Sequence, residues 1–190
     1  MTTITALILA AGYGTRIGKP KLMLEKNGDS FLSVILKNLQ NYSVDKIFCI
    51  TNKDNTEWVN TNFPDLQSII NANPENGMLS SVYCGVNFNQ SHSDGYLIIP
   101  VDYPFVKKET YALLINSFLE NPESIIKPYF QNRHGHPIII PESLIKNIPE
   151  SGIKIGLKEI IKKSGIKQII VEADDDGILK NINYPGDLDK

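Results

Sequence analysis

The sequence predicts an α/β fold of three layers, with a mostly parallel central sheet and a small antiparallel hairpin region. Two observations carry most of this reading. Short apolar runs alternate with segments of helical apolar spacing along the whole chain, which implies parallel strands joined by right-handed helical crossovers. A polar turn at residues 131–135 is flanked by two apolar runs, which marks an antiparallel pair.

Taken in order, residues 5–9 form an apolar run that ends at Ala10-Ala11-Gly12 and reads as a fully buried strand. A glycine-rich loop follows at 12–20. Asp29-Ser30 offers a helix cap, and Phe31, Leu32, Ile35, Leu36 and Leu39 then repeat with helical spacing. Residues 46–51 read as a second strand, 57–62 as a short helix before Pro64, and 66–70 as a third strand. Asn76-Gly77 precedes a helix with Met78, Leu79, Val82, Tyr83 and Val86 on one face. Residues 96–101 form a buried strand ended by Asp102-Tyr103-Pro104, and 108–119 are helical. Residues 124–129 and 136–140 are expected to pair as the hairpin. A helix is expected at 153–163, with Ile153, Leu157, Ile160 and Ile161 inward and Gly165 as its stop. Residues 167–171 read as a strand, and Asp174-Asp175-Asp176-Gly177 as a solvated acidic hairpin turn.

The 190 residues suit one domain spanning 1–190, large enough for helices on both faces of a sheet. A net charge of −2 argues against bulk nucleic-acid binding, which needs a clustered basic surface. Cys49 and Cys84 lack the spacing of a zinc site and read as small buried hydrophobes in a reducing compartment. No apolar stretch approaches the ~20 residues of a membrane helix, and the N-terminus is unlike a signal peptide. The expected location is cytoplasmic.

The loop Gly12-Tyr13-Gly14-Thr15-Arg16-Ile17-Gly18-Lys19-Pro20-Lys21 joins three glycines to three cations. Glycines let backbone N–H groups approach phosphate oxygens, and Arg and Lys neutralise them. A solvated basic turn is the plainer reading. The loop is no Walker A motif, because five residues separate Gly12 from Gly18-Lys19 and Pro20 stands where a Ser or Thr should hold metal. It is no dinucleotide fingerprint either: Ile17 replaces the third glycine, and the second strand ends in Thr51-Asn52 rather than an acid. In open α/β sheets ligands gather at the carboxyl ends of strands, which puts this loop and Asp102 on one rim. Asp102 there is either a metal ligand or the cap of the next turn.

At this point a resemblance appears. Leu9-Ala10-Ala11-Gly12, Gly14, Arg16, Gly18 and Lys21 resemble the signature loop of nucleotidyltransferases built on a single Rossmann-like domain. Gly77-Met78-Leu79-Ser80-Ser81, Asp102-Tyr103-Pro104, Gly135-His136-Pro137 and the segment Asn181 to Leu188 are similar, in order, to motifs of the molybdenum cofactor cytidylyltransferases. The matches run from residue 9 to residue 188. The resemblance implies a three-layer Rossmann-like nucleotidyltransferase that transfers CMP from CTP to molybdopterin, releases pyrophosphate and uses Mg²⁺, with a molybdoenzyme as possible partner.

On this resemblance Leu9, Ala10 and Ala11 help to read the base, and Gly12 and Gly14 cradle phosphates. Arg16 and Lys21 are catalytic, neutralising the α-phosphate and the leaving pyrophosphate. Ser80 and Ser81 bind nucleotide, against the alternative of plain helix capping. His136 contacts substrate, against a role in shaping its turn. Asp102 holds Mg²⁺ with Asn183, which is favoured over Asn181. The chain departs from the family's pattern at Asn181 and Asn183, where aspartates are usual, and at Gly186, where an acid is usual. Ala11 stands where the guanylyl branch usually has glycine, so CTP is expected over GTP. A guanylyltransferase, a sugar- or alcohol-phosphate nucleotidyltransferase and a non-catalytic module that delivers the cofactor remain as alternatives.

Overall fold

A computed structural model describes residues 2–40, 42–146 and 155–188. The described strands are β1 (Ile4–Leu9), β2 (Glu25–Lys26), β3 (Asp29–Ser30), β4 (Lys46–Thr51), β5 (Gln67–Ile70), β6 (Gly95–Pro100), β7 (Ile125–Phe130), β8 (Arg133–His134), β9 (Ile138–Pro141) and β10 (Gln168–Glu172). The helices are α1 (Phe31–Leu39), α2 (Lys53–Asn62), α3 (Met78–Phe88), α4 (Lys108–Glu120), α5 (Glu142–Lys146) and α6 (Leu157–Lys163). One sheet has the order β10-β7-β9-β6-β1-β4-β5, with β8 paired to β7. β5, β4, β1 and β6 run parallel, β9 is antiparallel to both β6 and β7, and β10 is parallel to β7.

Alternation along the buried strands sorts side chains onto two faces. Ile4, Ala6 and Ile8 of β1 pack with Phe31, Leu32 and Ile35 of α1 and with Leu114 and Phe118 of α4. Leu7 and Leu9 pack on the other face with Leu79 and Val82 of α3, Ile145 of α5 and Leu157 of α6. This is the expected three-layer arrangement. Cys49 is buried, and burial pushes its thiol up to about 12. Cys84 is only partly buried, and its Sγ donates to the Ile70 carbonyl.

Some expectations need correction. α2 starts at Lys53 rather than residue 57, because the Asn52 side chain caps it by accepting from Asn55 N–H at 2.9 Å. Its buried face is only Asn55 and Val59, too narrow to mark the helix by periodicity. α6 starts at Leu157 rather than 153, because Gly156 precedes it with φ +84; Ile153 itself lies outside the described residues. Met78 is exposed, not part of the buried face of α3. The antiparallel turn is tighter than expected: Gln131 and Asn132 take positive φ and join β7 to β8, while β9 meets β7 through Ile126 and Ile139. A small hairpin, β2–β3, closes through Asn27-Gly28, both at positive φ, as such turns require.

The acidic run is not a solvated hairpin turn. Asp174 and Asp176 are exposed, but Asp175 is 1% exposed. Its Oδ2 accepts from Lys107 N–H at 2.8 Å and Thr110 Oγ1 at 2.6 Å, and its Oδ1 accepts from Gly177 N–H at 2.9 Å. The carboxylate therefore ties the segment after β10 to the start of α4, where a negative charge also suits the helix dipole.

Candidate active site

β1 and β6 are adjacent and parallel, with Leu9 opposite Pro100, so the glycine loop and Asp102 leave the sheet side by side. The loop then folds on itself. Gly14 has φ +65, and its carbonyl accepts from Ile17 N–H and Gly18 N–H at 3.0 Å. A Cβ at Gly14 would lie 2.1 Å from the Lys19 carbonyl oxygen, so only glycine closes this turn. A Cβ at Gly12 would meet nothing in the chain within 4 Å. The space that Gly12 leaves open faces a cleft it shares with Leu9, Ala11, Ser81 and Asp102. The N–H groups of Gly12 and Gly14 donate to nothing among the described residues.

Lys21 opens a one-turn 3₁₀ helix directly after Pro20. Its Nζ donates to Asp102 Oδ2 at 2.8 Å and to Asn183 Oδ1 at 2.7 Å. Three candidates far apart in sequence thus meet at one point. Ile182 N–H donates to the Asp102 carbonyl at 2.9 Å and draws the C-terminal segment alongside. Asp187 then accepts from the N–H groups of Asn183 and Tyr184, which holds the turn that presents Asn183. Asn181 points elsewhere: its Nδ2 donates to Tyr103 Oη at 3.3 Å.

A carboxylate oxygen and an amide oxygen that converge on one ammonium are the donor type a hard divalent cation takes. Among the described residues no three His, Cys, Asp or Glu side chains gather around a common point. One carboxylate and one amide oxygen would leave most of a divalent ion's shell to phosphate and water.

The remaining candidates divide. Leu9, Ala11 and Ser81 line the cleft. Ala10 is buried in the core on the α1 face and Ser80 is buried beside the cleft, its hydroxyl bonded to the Gly77 carbonyl at 2.8 Å. Arg16 is exposed and lines an adjoining cleft with Gly14, Lys21 and Asn183, whereas Lys19 lines neither. His136 borders a separate cavity of about 750 Å³, which touches the first cleft through Met78. Gly135 beside it packs so closely that a Cβ would lie 2.1 Å from the Ile178 carbonyl oxygen. Burial lowers the His136 pKa, opposed by the Asp102 charge and reinforced by Lys127.

Sequence reasoning missed two groups. Three buried asparagines organise the rim: Asn52 Nδ2 donates to the Ala11 carbonyl at 2.9 Å, Asn55 Nδ2 to the Ala10 carbonyl at 3.2 Å, and Asn71 Nδ2 to the hydroxyls of Ser80 and Ser81. Asn52 follows the buried end of β4 and Asn71 the end of the edge strand β5, and an amide at a strand end was the available signal. Lys127, Arg133 and Lys158 make the second cavity basic, and burial and the Lys158 charge lower the Lys127 pKa.

A relative from Bacillus cereus (strain G9842), named probable molybdenum cofactor guanylyltransferase, is 23% identical over 96% of this chain and 92% of its own. Other Bacillus relatives of that name are matched over 62% of their length. A nucleotidyl transferase from Methanothermobacter superposes with a TM-score of 0.76 at 20% identity, covering 98% of this chain and 94% of that one. A Mycobacterium tuberculosis structure in complex with manganese gives a TM-score of 0.68 at 15% identity, covering 90% of both chains. These relatives are named for guanylyl transfer, whereas the sequence reading led to cytidylyl transfer. Over residues 6–169 the chain matches the MobA-like NTP transferase domain, and it belongs to that family.

Proposed function

We propose that the protein transfers a nucleoside monophosphate from a nucleoside triphosphate to the terminal phosphate of a molybdopterin-type acceptor, and that GTP is the donor. The observation that carries the reaction type is the meeting of Lys21, Asp102 and Asn183 beside the glycine loop. The relatives' guanylyltransferase name supports both the acceptor and the base.

In the proposed reaction an acceptor phosphate oxygen attacks the α-phosphorus in line. The bond from that phosphorus to the β-phosphate oxygen breaks, and its electron pair leaves with pyrophosphate. An ionised phosphate needs no general base, so the protein's task is positioning and charge stabilisation. Gly12 and Gly14 allow phosphate oxygens close to backbone N–H groups. Arg16 and Lys21 offset the negative charge that accumulates on the phosphates. Asp102 and Asn183 would hold Mg²⁺, which when bound neutralises triphosphate charge. The basic cavity beside Tyr103 and His136 receives the acceptor, with His136 as a neutral contact at pH 7 because burial lowers its pKa.

One observation favours a second reading. Ala11 lines the cleft, so its methyl group narrows the space where a purine must lie. Turnover of each triphosphate with Mg²⁺ and molybdenum cofactor separates the two. A higher kcat/KM with GTP supports the guanylyl reading, and a higher value with CTP overturns it in favour of the cytidylyl one.

A further inference from the structure

We infer that Asn71 is a positioning residue that fixes Ser81 as a hydrogen-bond donor into the nucleotide cleft, where it meets an acceptor atom of the base. The inference rests on the nucleotide reading of that cleft. Asn71 follows the last residue of β5 and is 5% exposed. Its Oδ1 accepts from Asn73 N–H at 2.9 Å. A backbone N–H only donates, so this bond settles which end of the amide is oxygen and which is nitrogen. The two hydrogens of Nδ2 then go to Ser80 Oγ at 2.9 Å and Ser81 Oγ at 3.0 Å.

Both serine oxygens are thereby acceptors, and each must send its own hydrogen elsewhere. Ser80 sends its one hydrogen to the Gly77 carbonyl at 2.8 Å, with the Asn73 carbonyl also in reach at 3.2 Å. Ser81 donates to nothing among the described residues, and it lines the cleft. The neighbouring wall is apolar, made by Leu9, Ala11, Pro74 and Met78. Among the described residues Ser81 is the one hydroxyl side chain lining this cleft, and Asn71 fixes the sense of its bond. A carbonyl oxygen or unprotonated ring nitrogen satisfies it, and an exocyclic amine does not. Ser80, in the same motif, serves the turn before α3 instead.

The test exchanges the sense of the bond. In Asn71→Asp the side chain keeps its size and its bond to Asn73 N–H. Its second oxygen accepts where the amide donated, and the Ser81 hydroxyl turns away from the cleft. Titration of wild type and variants with Mg²⁺ and each nucleoside triphosphate, without acceptor, reads binding directly. The expected result is about tenfold weaker binding in Asn71→Asp and in Ser81→Ala, the weight of one hydrogen bond, with no further loss in the double variant. Ser81→Thr keeps the hydroxyl and should recover binding to within about threefold of wild type, a rescue that a purely steric role for Ser81 would not give. Asn71→Ala is the second variant if the buried carboxylate prevents folding, and a severalfold loss is expected there. A folded Asn71 variant that binds as wild type, or losses that add in the double variant, overturn the inference alone. A wild-type protein that binds no triphosphate overturns the nucleotide reading and the inference with it.

Discussion

Alanine at Gly12 and at Gly14 should injure the protein in different ways. At Gly14 the added Cβ meets the Lys19 carbonyl oxygen at 2.1 Å with φ +65. The left-handed conformation alone costs ~1–2 kcal/mol for a residue with a side chain. The backbone contact must also relax by about 1 Å, and misplacement on that scale costs about a hundredfold in rate at a catalytic site. Gly14→Ala should therefore lower Tm by roughly 2–4 °C per kcal/mol and kcat/KM by about a hundredfold. At Gly12 nothing in the chain lies within 4 Å of the added Cβ. Gly12→Ala should thus leave stability within ~0.5 kcal/mol of wild type, yet weaken triphosphate binding by about tenfold or more through contact with the ligand. Thermal melts and nucleotide titrations on both variants decide the matter. If Gly12→Ala binds triphosphate as tightly as wild type, no phosphate comes close to this loop and the reasoning fails.

Other expectations concern charge. Asp102→Asn should nearly abolish turnover, and Asn183→Asp should keep activity and tighten Mg²⁺ binding, because an amide oxygen attracts the ion less than a carboxylate; a Mg²⁺ titration of activity checks both. Arg16→Ala and Lys21→Ala should each lower kcat/KM by about tenfold or more, the loss of a contact worth ~1.5–3 kcal/mol, while Lys19→Ala should not. Equal losses in all three would show that loop charge, not position, matters. Burial lowers the folded pKa of His136, so the unfolded chain takes up the proton first as pH falls. Its contribution to stability is present above the ordinary histidine pKa of about 6.5 and is lost below it. Wild-type Tm should then fall more between about pH 7 and pH 5 than that of His136→Gln, and parallel pH profiles would contradict this.

The parts of the fold legible in the sequence are those whose signal is local. β1, β4 and β6 are apolar runs, and the Ser30 side chain caps α1 by accepting from Ser33 N–H. The start of α2 was missed because an asparagine cap and one buried valine define it, with no apolar stripe. β2 and β3 escaped because two-residue strands have no measurable alternation. Asp175 looked like part of a solvated run because sequence shows its charge but not Thr110 and Lys107, which lie 65 and 68 residues away. The site divides in the same way. Lys21, Asp102 and Asn183 could be named from motifs, whereas the basic cavity joins Lys127, Arg133 and Lys158 from separate elements and has no motif. Ala11 suggested cytosine through one methyl group, a local signal, whereas the relatives carry a guanylyltransferase name.

Nucleotidyl transfer at the point where Lys21, Asp102 and Asn183 meet is tested by its products. The most direct measurement incubates the protein with Mg²⁺, GTP or CTP, and molybdenum cofactor, counts pyrophosphate, and weighs the product. One pyrophosphate is expected for each acceptor that gains a nucleoside monophosphate, and neither product is expected with Asp102→Asn. Triphosphate that binds without release of pyrophosphate, or an Asp102→Asn protein that turns over normally, would contradict it.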